Sequence, residues 1–156
     1  MEKPSTTPIV IGTGFGAGFW PWGPGTAGAV LATLIWGTMT IWFSPIALII
    51  VTLGLIIVGT IAGTWATKKL QPYWGDDPSR VVIDEMVGVW VPLLAATNAW
   101  QALTALILFR FFDIVKPLGI RTLDRKKGPF WVMADDLLAG IYSLVVLHLI
   151  IYIWES

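Results

Sequence analysis

The sequence contains no cysteine and a single histidine, His148. Disulfides, a cysteine nucleophile and zinc–thiolate sites are therefore excluded, and the redox compartment cannot be read. Charge is also scarce. Asp, Glu, Lys and Arg make up 13% of the 156 residues, about half the share of a soluble domain. Ten basic residues balance ten acidic ones. With no basic tail, nothing favours a nucleic-acid partner. The start, Met1-Glu2-Lys3-Pro4, lacks the charged-then-apolar order of a signal peptide.

What is abundant is apolar: 56% of the residues are hydrophobic. This composition and length point to one membrane-embedded domain over residues 1–156. Residues 26–43 are uncharged and, as a helix, about 27 Å long, close to the ~30 Å bilayer core. Ser44-Pro45 is a tight turn, and a second uncharged run covers 46–67, with Pro72 and Gly75 breaking the chain after Lys68-Lys69. These two runs predict a transmembrane hairpin. Residues 81–96 and 99–115 predict two shorter apolar helices that either span or re-enter. A last helix runs from about Met133 to Trp154. The expected fold is thus all-α, a polytopic membrane bundle of about five apolar helices, with no internal repeat.

The segment Gly12-Thr13-Gly14-Phe15-Gly16-Ala17 superficially matches a dinucleotide fingerprint, but Pro21 and Pro24 stand where its helix would run. It reads as a loop, either merely flexible or approaching a phosphate, with Thr26 capping the next helix through its hydroxyl.

Threading the five segments alternately through a membrane gathers all ten Lys and Arg residues on one side, in the N-terminus, the 68–80 link and the 110–127 region. The opposite turns, 44–45 and 97–99, are uncharged. By the positive-inside rule the charged side is cytoplasmic, as in a bacterial inner membrane protein with its N-terminus inside. Trp20, Trp22, Trp74 and Trp131 suit that interface; Trp42, Trp100 and Trp154 suit the other.

Acid gathers on the same side: Asp76, Asp77, Asp84 and Glu85; Asp113 and Asp124; Asp135 and Asp136. Asp84 and Glu85 lie inside an apolar run, where an acid costs about 2.5–3.5 kcal/mol at mid-bilayer. A bound cation is the simplest offset. Asp77, Asp84 and Gly88 are spaced to share a helical face. Carboxylates without histidine or cysteine partners are hard oxygen ligands suited to Mg²⁺, Mn²⁺ or Ca²⁺, and interleaved Arg110, Lys116 and Arg121 can clamp phosphate. Plainer readings exist for most of these residues. Asp76, Asp77 and Asp124 suit solvated loops, and Asp135 and Asp136 suit a helix start, where acid gains about 0.3–1 kcal/mol. Arg110 and Asp113 can simply pair. Lys116 and Arg125-Lys126-Lys127 suit topology and anionic-lipid contacts. His148, predicted on the far side, reads as structural. For Asp84-Glu85 the plain reading is weakest.

With cysteine absent and His148 remote, metal-assisted attack of water on a lipid phosphate is the chemistry left. A small transporter using Asp84/Glu85 as a cation site, or a non-catalytic anionic-lipid binder, are the rival readings. Against the transporter, charge collects at one face rather than along a path.

The chain resembles the phosphatidylglycerophosphatase A family. The resemblance rests on Gly14-Phe15-Gly16, Pro24-Gly25-Thr26-x-Gly28, Asp84-Glu85-x-x-Gly88 and Phe109-Arg110-x-x-Asp113-x-x-Lys116-Pro117. Ile120-Arg121-x-x-Asp124 and Asp135-Asp136-x-x-Ala139-Gly140 complete it. Leu118 departs from it, standing where a bulkier residue is expected, as does Asp76, standing where a histidine can occur. The resemblance implies Mg²⁺-dependent hydrolysis of phosphatidylglycerophosphate to phosphatidylglycerol and phosphate. Asp84 and Glu85, joined by Asp135 or Asp136 and with Asp77 as a further candidate, are expected to hold the metal, with Asp84, Glu85 and Asp136 catalytic. Arg110, Lys116, Arg121 and Thr26 are then expected to bind phosphate. Nothing in it calls for an obligate protein partner.

Overall fold

The computed structural model describes residues 2–117 and 119–156, with Asp124 described by its backbone alone. Leu118 and the Asp124 side chain, both singled out above, lie outside the described residues.

Among the described residues the chain is entirely helical, with no strand. Helix α1 (Thr6–Gly12) leads through a short 3-10 turn (Ala17–Phe19) into α2 (Pro24–Trp42). Residues 13–16, between α1 and the 3-10 turn, are turns, as the loop reading of the glycine-rich segment expected, and α1 leads into that segment. Ile9 and Gly12 of α1 lean on the core and on the end of α3 (Pro45–Trp74). Helix α2 begins at Pro24 after a left-handed Gly23 (φ 60°), so its N-cap is Gly23 and Thr26 falls inside the first turn. The expected Thr26 cap is thus corrected: Pro24 is preset for a first helical position and starts the helix earlier.

Ser44 caps α3, its Oγ accepting from the Ala47 N–H at 3.3 Å. This helix passes Pro72 and stops only at Gly75 (φ 96°). The expected break at Pro72 does not occur, because so near the end the lost hydrogen bond frees a carbonyl that water can reach. At 30 residues, about 45 Å, α3 overshoots the bilayer core, and Lys68 to Trp74 extend beyond it.

Helix α4 (Ile83–Leu93) is the axis of the bundle and packs against α2, α3, α5 (Ala99–Val115) and α7 (Pro129–Glu155). Nearly every one of its residues is buried. It is shorter than the expected 81–96: Val82 is held outside the helix, its N–H donating to the Gly12 carbonyl at 2.8 Å, and Pro92 is followed by turns. Eleven residues make about 16 Å, too short to cross the core unaided. At its far end Asn98 Oδ1 caps α5 by accepting from the Gln101 N–H at 3.0 Å. The Gln101 side chain in turn accepts from the Thr97 N–H and hydroxyl at 2.7 and 2.9 Å. A short α6 (Ile120–Asp124) links α5 to α7.

Among the described residues, three helices are long and apolar enough to cross a membrane: α2, α3 and α7. Their outer faces expose Leu34 and Ile41, Ile50, Ile57 and Ile61, and Leu149 and Ile153. A continuous apolar exterior of this size is stable in lipid, not in water. Aromatic residues mark both ends. At one, Arg80 stacks on Phe19 and Trp74 at 5.6 and 5.7 Å from the ring centroids, and Lys126 lies 4.3 Å from that of Trp131. At the other, Trp100 and Trp154 meet at 6.0 Å. The fold is a helical membrane bundle with most of its charge at one end, Glu155 following Trp154 at the other.

Candidate active site

Three helices bring acid to one place. Asp84 and Glu85 lie in the first turn of α4, where the helix dipole favours them modestly. On α5, the buried stripe Ala102, Ala105 and Phe109 ends in Asp113, so a carboxylate occupies a core-facing position at helical spacing. On α7, Asp135 and Asp136 are the seventh and eighth residues, past the first turn. The helix starts at Pro129 rather than near Met133, so a dipole-capping role for the pair is ruled out. Seven residues also place these acids about 10 Å along the helix from its end.

Two glycines set the spacing. Asp84 and Asp136 are each followed four residues later by glycine, Gly88 and Gly140. A Cβ on Gly140 would collide with the Gly88 carbonyl oxygen, and one on Gly88 would come within 2.9 Å of the Asp136 carbonyl. Backbones this close allow no larger residue, and one turn back along each helix the two carboxylates face each other. On the other side of α4, a Cβ on Gly25 would lie 2.8 Å from Glu85 Oε1 and 3.4 Å from the Arg110 guanidinium. The N-terminus of α2 thus closes over Glu85.

The acids form two groups that share Asp136. One oxygen each from Asp84, Glu85 and Asp136 lie within 4.8 Å of one another, and so do oxygens of Asp113, Asp135 and Asp136. The groups differ in what balances them. Asp113 pairs with Arg110 through Oδ2 and lies 3.5 Å from the Lys116 ammonium through Oδ1. Lys116 also bonds Asp135 Oδ2 at 3.1 Å, while Asp135 Oδ1 accepts from the Asp136 N–H at 3.0 Å. In the first group Asp84 Oδ1, Glu85 Oε2 and Asp136 Oδ2 are buried without a hydrogen-bond partner. Asp84 and Asp136 are only 7% and 2% exposed.

Lys116 itself is held in an unusual way. It ends α5 in the left-handed region (φ 53°), where a non-glycine residue gives up roughly 1–2 kcal/mol. Burial pulls its ammonium towards neutrality, but the charges of Asp135 and Asp113 outweigh that and hold its pKa above the usual lysine range. It stays charged at any physiological pH.

Unpaired buried carboxylates cost several kcal/mol each, and three neighbouring carboxylates that each keep an oxygen without a donor suit a cation. An all-oxygen set suits a hard divalent ion that keeps water in its shell. The residues fit such an ion.

The sequence profile of phosphatidylglycerophosphatase A matches residues 10–151, nearly the whole chain. The chain belongs to this family. It is 34% identical to the phosphatidylglycerophosphatase A of Escherichia coli, covering 93% of this chain and 84% of that protein. To the phosphatidylglycerophosphatase A of Haemophilus influenzae it is 35% identical, covering 92% and 88%. A Bacteroides thetaiotaomicron protein named "Putative phosphatidylinositol-3-phosphatase" is 52% identical over 94% of this chain and 95% of its own length. No solved structure matches the chain.

Of the residues expected to form a phosphatidylglycerophosphatase A site, the fold brings together Asp84, Glu85, Asp135, Asp136, Arg110 and Lys116. Others lie apart. Asp77 is exposed and belongs to neither carboxylate group. The link before Ile83 is not helical, so the expected shared face with Asp84 does not form. Asp77 and Asp76 instead line a small cavity with Arg125, Lys126, Trp131 and Asp135. Arg121 is exposed, its guanidinium donating to the Val115 carbonyl at 3.2 Å. Thr26 is exposed on α2, next to the Gly25 that meets Glu85. Asp113 was not expected among the ligands; its place at the end of a buried stripe is the sequence signal that points to it.

Proposed function

We propose that the chain is a membrane lipid phosphatase that hydrolyses the terminal phosphate of phosphatidylglycerophosphate, with Mg²⁺ at the shared carboxylate centre. The observation that carries this reading is the set of three buried, unpartnered oxygens on Asp84, Glu85 and Asp136, set beside the cations Arg110 and Lys116. Family membership supports the phosphatase activity. Asp84, Glu85 and Asp136 would hold the ion, with Asp135 and Asp113 behind them.

A bound Mg²⁺ neutralises phosphoryl oxygens and makes bound water more acidic. The chain supplies the rest. Arg110 and Lys116 draw the dianionic phosphate to the carboxylates and offset its charge. The α2 N-terminus, closed over Glu85 by Gly25, limits bulk water. As water oxygen bonds to phosphorus, its proton passes to the Glu85 carboxylate at the oxygen that does not hold the ion. The ester P–O bond then breaks, and the leaving alkoxide takes the proton that Glu85 accepted, which gives the free alcohol of phosphatidylglycerol and restores the carboxylate. The exposed apolar helices keep the acyl chains in the bilayer while the head group reaches the charged end. We assign that end to the cytoplasmic face of an inner membrane, since the basic residues collect there.

The Bacteroides relative favours a second substrate, phosphatidylinositol 3-phosphate. It presents the same chemistry, a phosphomonoester on a polyol carried by a lipid phosphodiester. Phosphate release by the purified chain in detergent, from each lipid with and without EDTA, tests both. Release from either lipid that EDTA abolishes is the expected result. Release from neither, by protein shown to be folded, overturns the reading.

A further inference from the structure

Asp136 belongs to both carboxylate groups, so two cation positions adjoin, as they do in centres that bind a pair of divalent ions. Their surroundings differ. At Asp84, Glu85 and Asp136 there are oxygens with nothing to bond. At Asp113 and Asp135 the oxygens already meet Arg110 and Lys116. The Lys116 ammonium lies 3.5 Å from one acid and 3.1 Å from the other, bridging two of the three members of the second group. Its backbone adds an independent sign. Lys116 closes α5 in the left-handed conformation that favours glycine, so a residue poorly suited to the turn is kept where its charge reaches both acids.

We propose that the centre takes one divalent ion per chain, bound by Asp84, Glu85 and Asp136, and that the Lys116 ammonium holds the place of a second. Lys116 is a positioning residue for Asp113 and Asp135, which it keeps from collecting another ion. The inference rests on the metal-assisted phosphatase reading, but its test is separate from activity.

Purified full-length chain in detergent, stripped with EDTA, is titrated with Mn²⁺ while bound ion is counted and its electron paramagnetic resonance spectrum recorded. The wild type is expected to bind one Mn²⁺ with the spectrum of an isolated ion. Lys116→Gly, which suits the left-handed backbone and removes only the side chain, is expected to bind two, with the broadened signal of a coupled pair. Two ions in the wild type overturn the proposal while leaving the phosphatase reading intact, and so does one ion in folded Lys116→Gly. No bound ion in the wild type overturns the metal-assisted reading along with it. Should Lys116→Gly fail to fold, the wild-type count still decides.

Discussion

The two halves of the acidic centre show how one cluster divides its tasks. Asp113 and Asp135 are satisfied within the protein by Arg110 and Lys116, and they stiffen the junction of α5 with α7. Asp84, Glu85 and Asp136 are left with bare oxygens, a state the fold tolerates rather than gains from. Paired acid supports structure; unpaired acid stays open to a ligand. Neutralising one acid from each half should therefore move stability in opposite directions.

The largest effect is expected at the unpaired half. Asp84→Asn or Asp136→Asn should lower phosphate release on the order of 10²–10⁴-fold, yet raise the melting temperature of the ion-free protein, because a buried uncompensated charge is gone. Thermal unfolding in EDTA and in Mg²⁺ checks this. Wild-type protein should gain about 2.7 kcal/mol at a hundredfold excess of Mg²⁺ over its dissociation constant, and Asp84→Asn should gain little. Near-wild-type turnover in Asp84→Asn would remove that residue from the centre.

Geometry comes next. Gly140→Ala leaves every charge in place but drives a methyl group into the Gly88 carbonyl, pushing α7 off α4. Overpacking of this kind costs about 1–3 kcal/mol, and displacing the Asp136 carboxylate by about 1 Å can cost activity up to 10²-fold. The check is kcat in folded protein, with bound Mn²⁺ counted alongside. Unchanged kcat would mean that close helix contact does not set the carboxylate spacing.

At the paired half, Asp135→Asn should destabilise the protein by roughly 1–3 kcal/mol, since the Lys116 ammonium loses a charged acceptor at 3.1 Å. Removing Mg²⁺ should not change that loss. A stabilised Asp135→Asn in EDTA would erase the distinction between the halves.

The helical membrane architecture could be read from the sequence because length and uninterrupted hydrophobicity decide it: α2, α3 and α7 are long apolar runs. The ends were harder. Pro24 started α2 two residues before the Thr26 expected to cap it, and Pro72 failed to stop α3, because a proline in the first or last turn disturbs few hydrogen bonds. Asp84 and Glu85 stood out as charge in an apolar run. Asp113 did not, since Arg110 three residues earlier offered it an ordinary helix-surface partner; only its alignment with Ala105 and Phe109 on the buried stripe separates the two cases. Asp77 looked helical by spacing, but Val82 is tied to the Gly12 carbonyl, a long-range contact that no local pattern carries. The close approach of Gly88 to Gly140 is likewise tertiary, although the repeated spacing from aspartate to glycine was visible.

The smallest effect is expected from Arg121 and Thr26, which were both counted among the phosphate binders. Both side chains are exposed, and Arg121 holds the end of α5 through the Val115 carbonyl. An exposed charge of this kind contributes about 0.2–1 kcal/mol, so Arg121→Ala should raise KM less than fivefold and leave kcat unchanged. Thr26→Val should do less still, because the neighbouring Gly25, not the hydroxyl, meets Glu85. Initial rates over a range of lipid concentrations in mixed micelles separate the two parameters. If Arg121→Ala instead lowers kcat a hundredfold, the arginine reaches the phosphate during turnover. The link between α5 and α7 must then fold inward over the unpaired acids when lipid binds, and the division between paired and unpaired acid would describe only the lipid-free protein.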